Sequence, residues 1–177
     1  MNRFLTVISM LAGLSILPHY AVAQVADSKA QIERVIENFR SAIANKDEEA
    51  FVKLFAKEDV TFAGATTDAS IEMLYANRPN PQMKRPSKLF FTTPRKFINS
   101  IAKAETKVGE TVSNVRIESD SDVGQVWFDY SIVNGSHKKM WGKESWLVVR
   151  TADGWKIAGV VSSQEFNPTP ASASEAR

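Results

Sequence analysis

With 22 basic and 20 acidic side chains among 177 residues, the chain carries a formal charge of only +2, too little to suggest a nucleic-acid partner. It has no cysteine, which excludes disulfides, thiolate metal sites and a lipid-modified N-terminal cysteine. Two histidines give no basis for a metal centre, and no cofactor motif is visible.

The first residues read as a secretory signal peptide. Met1-Asn2-Arg3 is a short positive start, Phe4 to Leu17 an apolar and small-residue run, and Pro18 breaks it before the small-x-small pattern Ala21-Val22-Ala23. Cleavage is expected after Ala23, removing residues 1–23. The run is shorter than the roughly 20 apolar residues that a bilayer needs, so no membrane span is expected after cleavage. The mature protein, periplasmic or secreted, is then about 150 residues, one domain over 24–167 with His137 as its single histidine.

Asp27 or Ser28 can cap a helix whose apolar residues Ile32, Val35, Ile36, Phe39 and Ile43 form one stripe on a 3.6-residue period. Asn45 can close it in a left-handed conformation. Asp47 caps a second helix with Glu48 and Glu49 in its first turn and Phe51, Leu54 and Phe55 on its apolar side. Val60-Thr61-Phe62 reads as a short strand ended by Gly64. Residues 65 to 92 are irregular, because Pro79, Pro81 and Pro86 forbid a continuous helix. Arg78, Lys84, Arg85, Lys88, Arg95, Lys96 and Lys103 form an acid-free basic run, either a solvated surface or an electropositive rim for an anionic ligand or membrane. Thr93-Pro94 opens a third helix with Phe97, Ile98 and Ile101 on its apolar side.

From about Lys107 the period changes to two. A strand with Val112, Val115 and Ile117 ends in the turn 119–122. Three more β-rich runs follow, joined at Asn134-Gly135 and Asp153-Gly154, a strong hairpin signal. Pro168 begins a disordered tail, 168–177, poor in large apolar residues. Three helices with a mostly antiparallel sheet make an α+β fold.

The step Asp47 to Ala56, then Val126 to Tyr130 and Leu147 to Ile157, resembles the nuclear transport factor 2-like superfamily, most closely its SnoaL-like and lumazine-binding-type bacterial members. The resemblance implies a cone-shaped fold: a curved sheet wrapped around helices, enclosing an apolar pocket. The superfamily includes isomerases, dehydratases, cyclases and proteins without chemistry, so function rests on the site. In its steroid isomerases a helical Tyr, a base Asp and a late-strand Asp do the work. Their places fall here on Phe39, on Ala63 and Gly64, and on Leu147, so the base is missing and that chemistry is not expected. Positions after Trp155-Lys156-Ile157 that carry histidines in other members are Gly159, Val160 and Val161.

The late strands have two largely apolar faces. The superfamily's usual register implies that Trp127, Asp129 and Ser131 face the cone, lined also by Phe39, Phe55, Phe97 and Leu147. Tyr130, Trp146, Trp155 and Ile157 then form an outer face covered by a second copy. Asp129 would be the one pocket carboxylate, a candidate acid/base with a raised pKa, unless it pairs with a backbone amide or Lys143. Glu144 is expected to pair across strands with a Lys. The expected function is therefore a non-catalytic, homodimeric binder of a small apolar or aromatic molecule. The alternative is an isomerase, dehydratase or hydrolase-type enzyme using Asp129.

Overall fold

The computed structural model describes residues 17–167, with side chains described from residue 27. The start of the apolar run and the tail from Pro168 lie outside the described residues. Four helices and six strands follow in order: α1 (Leu17–Asn45), α2 (Glu48–Val52), β1 (Thr61–Thr66), α3 (Asp68–Ala76), β2 (Leu89–Thr92), α4 (Pro94–Ala102), β3 (Val108–Ser119), β4 (Val123–Asn134), β5 (His137–Thr151) and β6 (Gly154–Phe166). The architecture is α+β, as expected, with one helix and one strand more than the sequence reading supplied.

Helix α1 does not start at Asp27 or Ser28. It runs through both, with Pro18 in its first turn, where a missing N–H removes no helical hydrogen bond. Its stripe Ile32, Val35, Ile36, Phe39 and Ile43 is buried, as the spacing requires. Lys46, not Asn45, takes the left-handed conformation after it, at φ 55°. The Asp47 carboxylate caps α2 through Ala50 N at 2.9 Å. The next residues are then tied to the sheet by Ile157 N to Leu54 O and Ala56 N to Ile157 O, at 2.8 and 2.9 Å.

The segment 65–92 is more regular than its prolines suggested. Helix α3 ends before the first of them, and the Thr67 hydroxyl caps it by accepting from Ser70 N at 3.3 Å. Strand β2 follows the last proline and pairs antiparallel with β1, Ala63 opposite Phe91. Thr93 caps α4 and Pro94 occupies its first turn.

The sheet order is β2-β1-β6-β5-β4-β3. All neighbours are antiparallel except β1 and β6, which are parallel. In the two hairpins the glycine alone carries the positive φ, 63° at Gly135 and 95° at Gly154. Asn134 and Thr151 belong to strand pairs, so the loops are Gly135-Ser136 and Ala152-Asp153.

The faces of the late strands are the reverse of the expected assignment. Val126, Phe128, Tyr130 and Ile132 of β4, Trp146 and Val148 of β5, and Trp155 and Ile157 of β6 are all buried with the α1 stripe in one core. A register shift between β5 and β6 leaves Ala158 as an extra residue, with Leu147 opposite Gly159 and Val148 opposite Ile157. Beyond that bulge the alternation slips by one. Val160 and Ser162 therefore join the buried face of Trp155 and Ile157, and Val161 goes to the exposed one.

Candidate functional site

The concave side of the sheet and the helices enclose a cavity of about 210 Å³. Phe39 of α1 and Phe97 of α4 line it, as expected, together with Phe62 of β1 and Phe90 of β2. Phe97 stacks on Phe62 at 5.1 Å between centroids and on Phe51 at 5.5 Å, so the apolar wall is held by ring contacts. Phe55 lies behind this wall, against Phe39, Phe51 and Phe62, and is not part of the lining.

The other expected pocket residues are elsewhere. Trp127 and Leu147 are on the exposed face, 39% and 60% accessible, and Asp129 and Ser131 share that face. The reason is the alternation of β4: Val126, Phe128, Tyr130 and Ile132 share one face and join the core, which turns Trp127, Asp129 and Ser131 to the other. Asp129 accepts from Asn114 Nδ2 at 2.7 Å and pairs with Lys143 directly across the strands. The Lys143 bond, then the Asn114 bond, hold its carboxyl below its ordinary range, opposite to the rise that a desolvated acid would show. Pairing with Lys143 is the reading that stands. The surface face also rules out Tyr130, Trp146, Trp155 and Ile157 as a dimer contact, since all four are buried in their own subunit.

The carboxyls that do reach the cavity are Glu110 of β3 and Glu144 of β5. Both are nearly inaccessible, at 7% and 5%. Glu144 does not pair with a lysine; its Oε1 accepts from the Trp146 indole Nε1 at 2.5 Å. Burial pushes its pKa up to about 7, and the indole bond opposes this only in part. Glu110 Oε2 is buried without any hydrogen-bond partner. Burial first, and the neighbouring Glu144 second, raise the Glu110 carboxyl well above the ordinary range. The nearest counter-charge, Arg40, is engaged elsewhere: its Nη1 pairs with Glu37 at 2.9 Å and its Nε reaches only the backbone carbonyl of Glu110.

Tyr130 stands beside the pair and donates its hydroxyl proton to Ser163 O at 2.9 Å. Burial and the two glutamates keep the phenol protonated far above neutral pH. Ser162 and Gln164 of β6, Lys139 of β5, Thr92 of β2 and Ser100 of α4 complete the polar part of the lining.

The alternation contained the signal for the acids. Glu144 is two residues before Trp146 and four before Val148, so once Trp146 is inside, Glu144 is inside too. Glu110 shares a face with Val108 and Val112 in the same way. A buried indole also needs an acceptor, and Glu144 is the acidic residue two positions away.

Three of the seven basic residues of the run are paired with acids from elsewhere in the chain. Arg85 pairs with Glu72 through two bonds, Lys88 with Asp68 at 2.6 Å, and Arg95 with Glu49 and Glu58 at 2.6 and 3.1 Å. Arg78 lies over the Tyr75 ring and donates to the carbonyls of Tyr75 and Pro81. Acids from α2, from α3 and from the loop at Glu58 supply charge opposite Arg85, Lys88 and Arg95.

No protein-family profile matches the chain, and no curated protein sequence does. Solved structures do. A nuclear transport factor 2-like protein with a cystatin-like fold from Novosphingobium aromaticivorans superposes with a TM-score of 0.59 at 12% identity, covering 92% of this chain and 96% of that one. A protein of the same organism named as a candidate scytalone dehydratase gives 0.61 at 15% identity, covering 85% and 93%. A nuclear transport factor 2-like protein of unknown function from Pseudomonas putida gives 0.56 at 9%, covering 85% and 92%. The chain has the nuclear transport factor 2-like fold that its closing motifs resembled.

Proposed function

We propose that this is an exported protein that binds a small, largely aromatic or apolar molecule in the cone, without a resident cofactor. The observation that carries the reading is the aromatic cavity itself, walled by Phe39, Phe62, Phe90 and Phe97 and holding two buried carboxyls at its polar end. Export rests on the N-terminal pattern, with the mature chain starting at Gln24 inside the span of α1. The enzyme reading has lost Asp129, which sits outside the cone in an ion pair; acid/base chemistry in this pocket would fall to Glu110 and Glu144.

A homodimer remains part of the proposal, through a different set of side chains. The sheet register aligns Phe91, Ala63, Val161, Ser145 and Trp127 in one row across five strands, with Leu147 nearby on the same face. Phe91, Val161 and Leu147 are 75%, 58% and 60% accessible, and a second copy placed face to face would cover them.

The binding test uses 2-phenylethanol and 2-phenylethylamine, followed by calorimetry or tryptophan emission. At least one should bind saturably, and Ile132→Trp, which fills the cavity, should abolish it. Absence of saturable binding by both would sink the proposal. N-terminal sequencing of the exported protein should read from Gln24.

A further inference from the structure

The two buried carboxyls of the cavity meet few free donors: the Ser162 hydroxyl bonds to Tyr130, the Ser100 hydroxyl donates to Phe97 O at 2.6 Å, and Thr92 adds one hydroxyl to the lining. Glu144 has one oxygen engaged by Trp146, which leaves the other for a ligand; Glu110 Oε2 has no partner at all. The Tyr130 proton is committed to Ser163 O and its oxygen also bonds to the Ser162 hydroxyl, so the phenol has no proton to offer a ligand. The side-chain amide of Gln164 donates to Thr66 Oγ1 at 2.8 Å, leaving its carbonyl. The charged groups that face the pair are few. From α1 there is Arg40, held by Glu37; from β5 there is Lys139, an exposed residue of the lining; from β4 there is neutral Tyr130. No buried cation answers the two acids.

An unpartnered buried acceptor is costly, and two adjacent acids without a cation are more so. A ligand that brings N–H donors and a positive charge on an apolar body relieves both costs at once. A neutral alcohol supplies one donor and no charge, and an anion adds to the repulsion. We propose, building on the cone-binding reading, that the preferred ligand class is a small aromatic or alicyclic primary amine. Its ammonium group is held between Glu110 and Glu144, and its ring lies against Phe39 and Phe97.

The sign of the pH dependence follows. An ammonium is held best by an ionised pair, and burial delays that ionisation to around neutral pH for Glu144. Amine affinity should therefore rise as pH goes from 5 to 8, with protons released on binding, while alcohol affinity stays flat.

Calorimetric titration of the full mature protein with 2-phenylethylamine, 2-phenylethanol and phenylacetate tests this. At pH 8 the amine should bind at least about tenfold more tightly than the alcohol, with phenylacetate weakest, and the advantage should shrink by pH 5. Glu110→Gln and Glu144→Gln, near-isosteric changes, should each erase most of the amine preference while leaving alcohol binding. Alcohol binding as tight as the amine, a flat amine profile, or a preference that survives in both variants would overturn the amine reading and leave the cone reading standing. Failure of both 2-phenylethylamine and 2-phenylethanol to bind would overturn both readings. If a variant does not fold, the wild-type pH profile decides alone.

Discussion

Glu144→Gln should make the protein more stable than wild type at pH 8 and reduce the fall in its stability between pH 5 and 8. The Glu144 carboxyl is buried and keeps its proton to about pH 7, whereas an unfolded chain loses it near the ordinary 4.5. Between those values the folded state binds more protons than the unfolded state, so stability falls as pH rises and then levels off. At about 1.4 kcal/mol per pH unit, the loss from this group is on the order of 3 kcal/mol. Glu110 acts in the same direction. The carboxyls held low by partners, Glu49, Asp68, Glu72, Asp120 and Asp129, act oppositely, and their contributions are lost only as pH falls below their ordinary values. They leave the window above pH 5 clear. Gln keeps an oxygen for the Trp146 indole but has no proton to lose. Urea unfolding followed by tryptophan emission at pH 5, 6, 7 and 8 measures the difference. A wild type as stable at pH 8 as at pH 5, or a variant with the wild-type slope, would refute the reasoning.

Trp146→Ala should cost about 3–5 kcal/mol in urea unfolding, since it empties a fully buried site against Phe39 and Phe128 and removes the donor to Glu144. Gly142→Ala would place its Cβ 1.9 Å from Ser163 O, so β5 and β6 must separate locally; a loss of about 1–3 kcal/mol is expected in the same assay. Asp129→Asn should leave 2-phenylethanol and 2-phenylethylamine titrations at wild-type affinity, because Asp129 lies on the other face of the sheet. Leu147→Lys should shift light scattering from twice the monomer mass to the monomer mass, and a wild-type monomer would contradict the dimer.

What the sequence made legible follows physical range. The α1 stripe, the Asp47 and Thr93 caps and the hairpin glycines depend on neighbours within a few residues, and they stand in the structure. Helix α3 occupies residues 68–76, which contain no proline, and the prolines at 79, 81 and 86 interrupt helical structure only beyond it. Strand β2 is only four residues long, and its partner β1 lies across α3 and the proline segment, a pairing that no local pattern announces. The basic run looked unbalanced for the same reason: its acids are Glu49, Glu58, Asp68 and Glu72, upstream in the chain and adjacent in the fold.

The site turned on a single binary choice. Residues of β4 alternate between two apolar sets, and period two alone says which residues share a face, not which face is inside. Choosing the Trp127 face inward made Asp129 the pocket acid; choosing the Trp146 face inward makes it Glu144, and the same choice brings in Tyr130 and Glu110. Side-chain chemistry decides between them. Outward, Asp129 finds Lys143 opposite and Asn114 beside it, and a hydrated ion pair costs little. On the buried face the Trp146 indole N–H donates to Glu144, two residues along the same strand. Glu110 has no such structural duty. Ser28 Oγ, Trp155 Nε1 and Glu110 Oε2 are buried without a partner, and of the three residues only Glu110 lines the cavity, where a ligand can reach it.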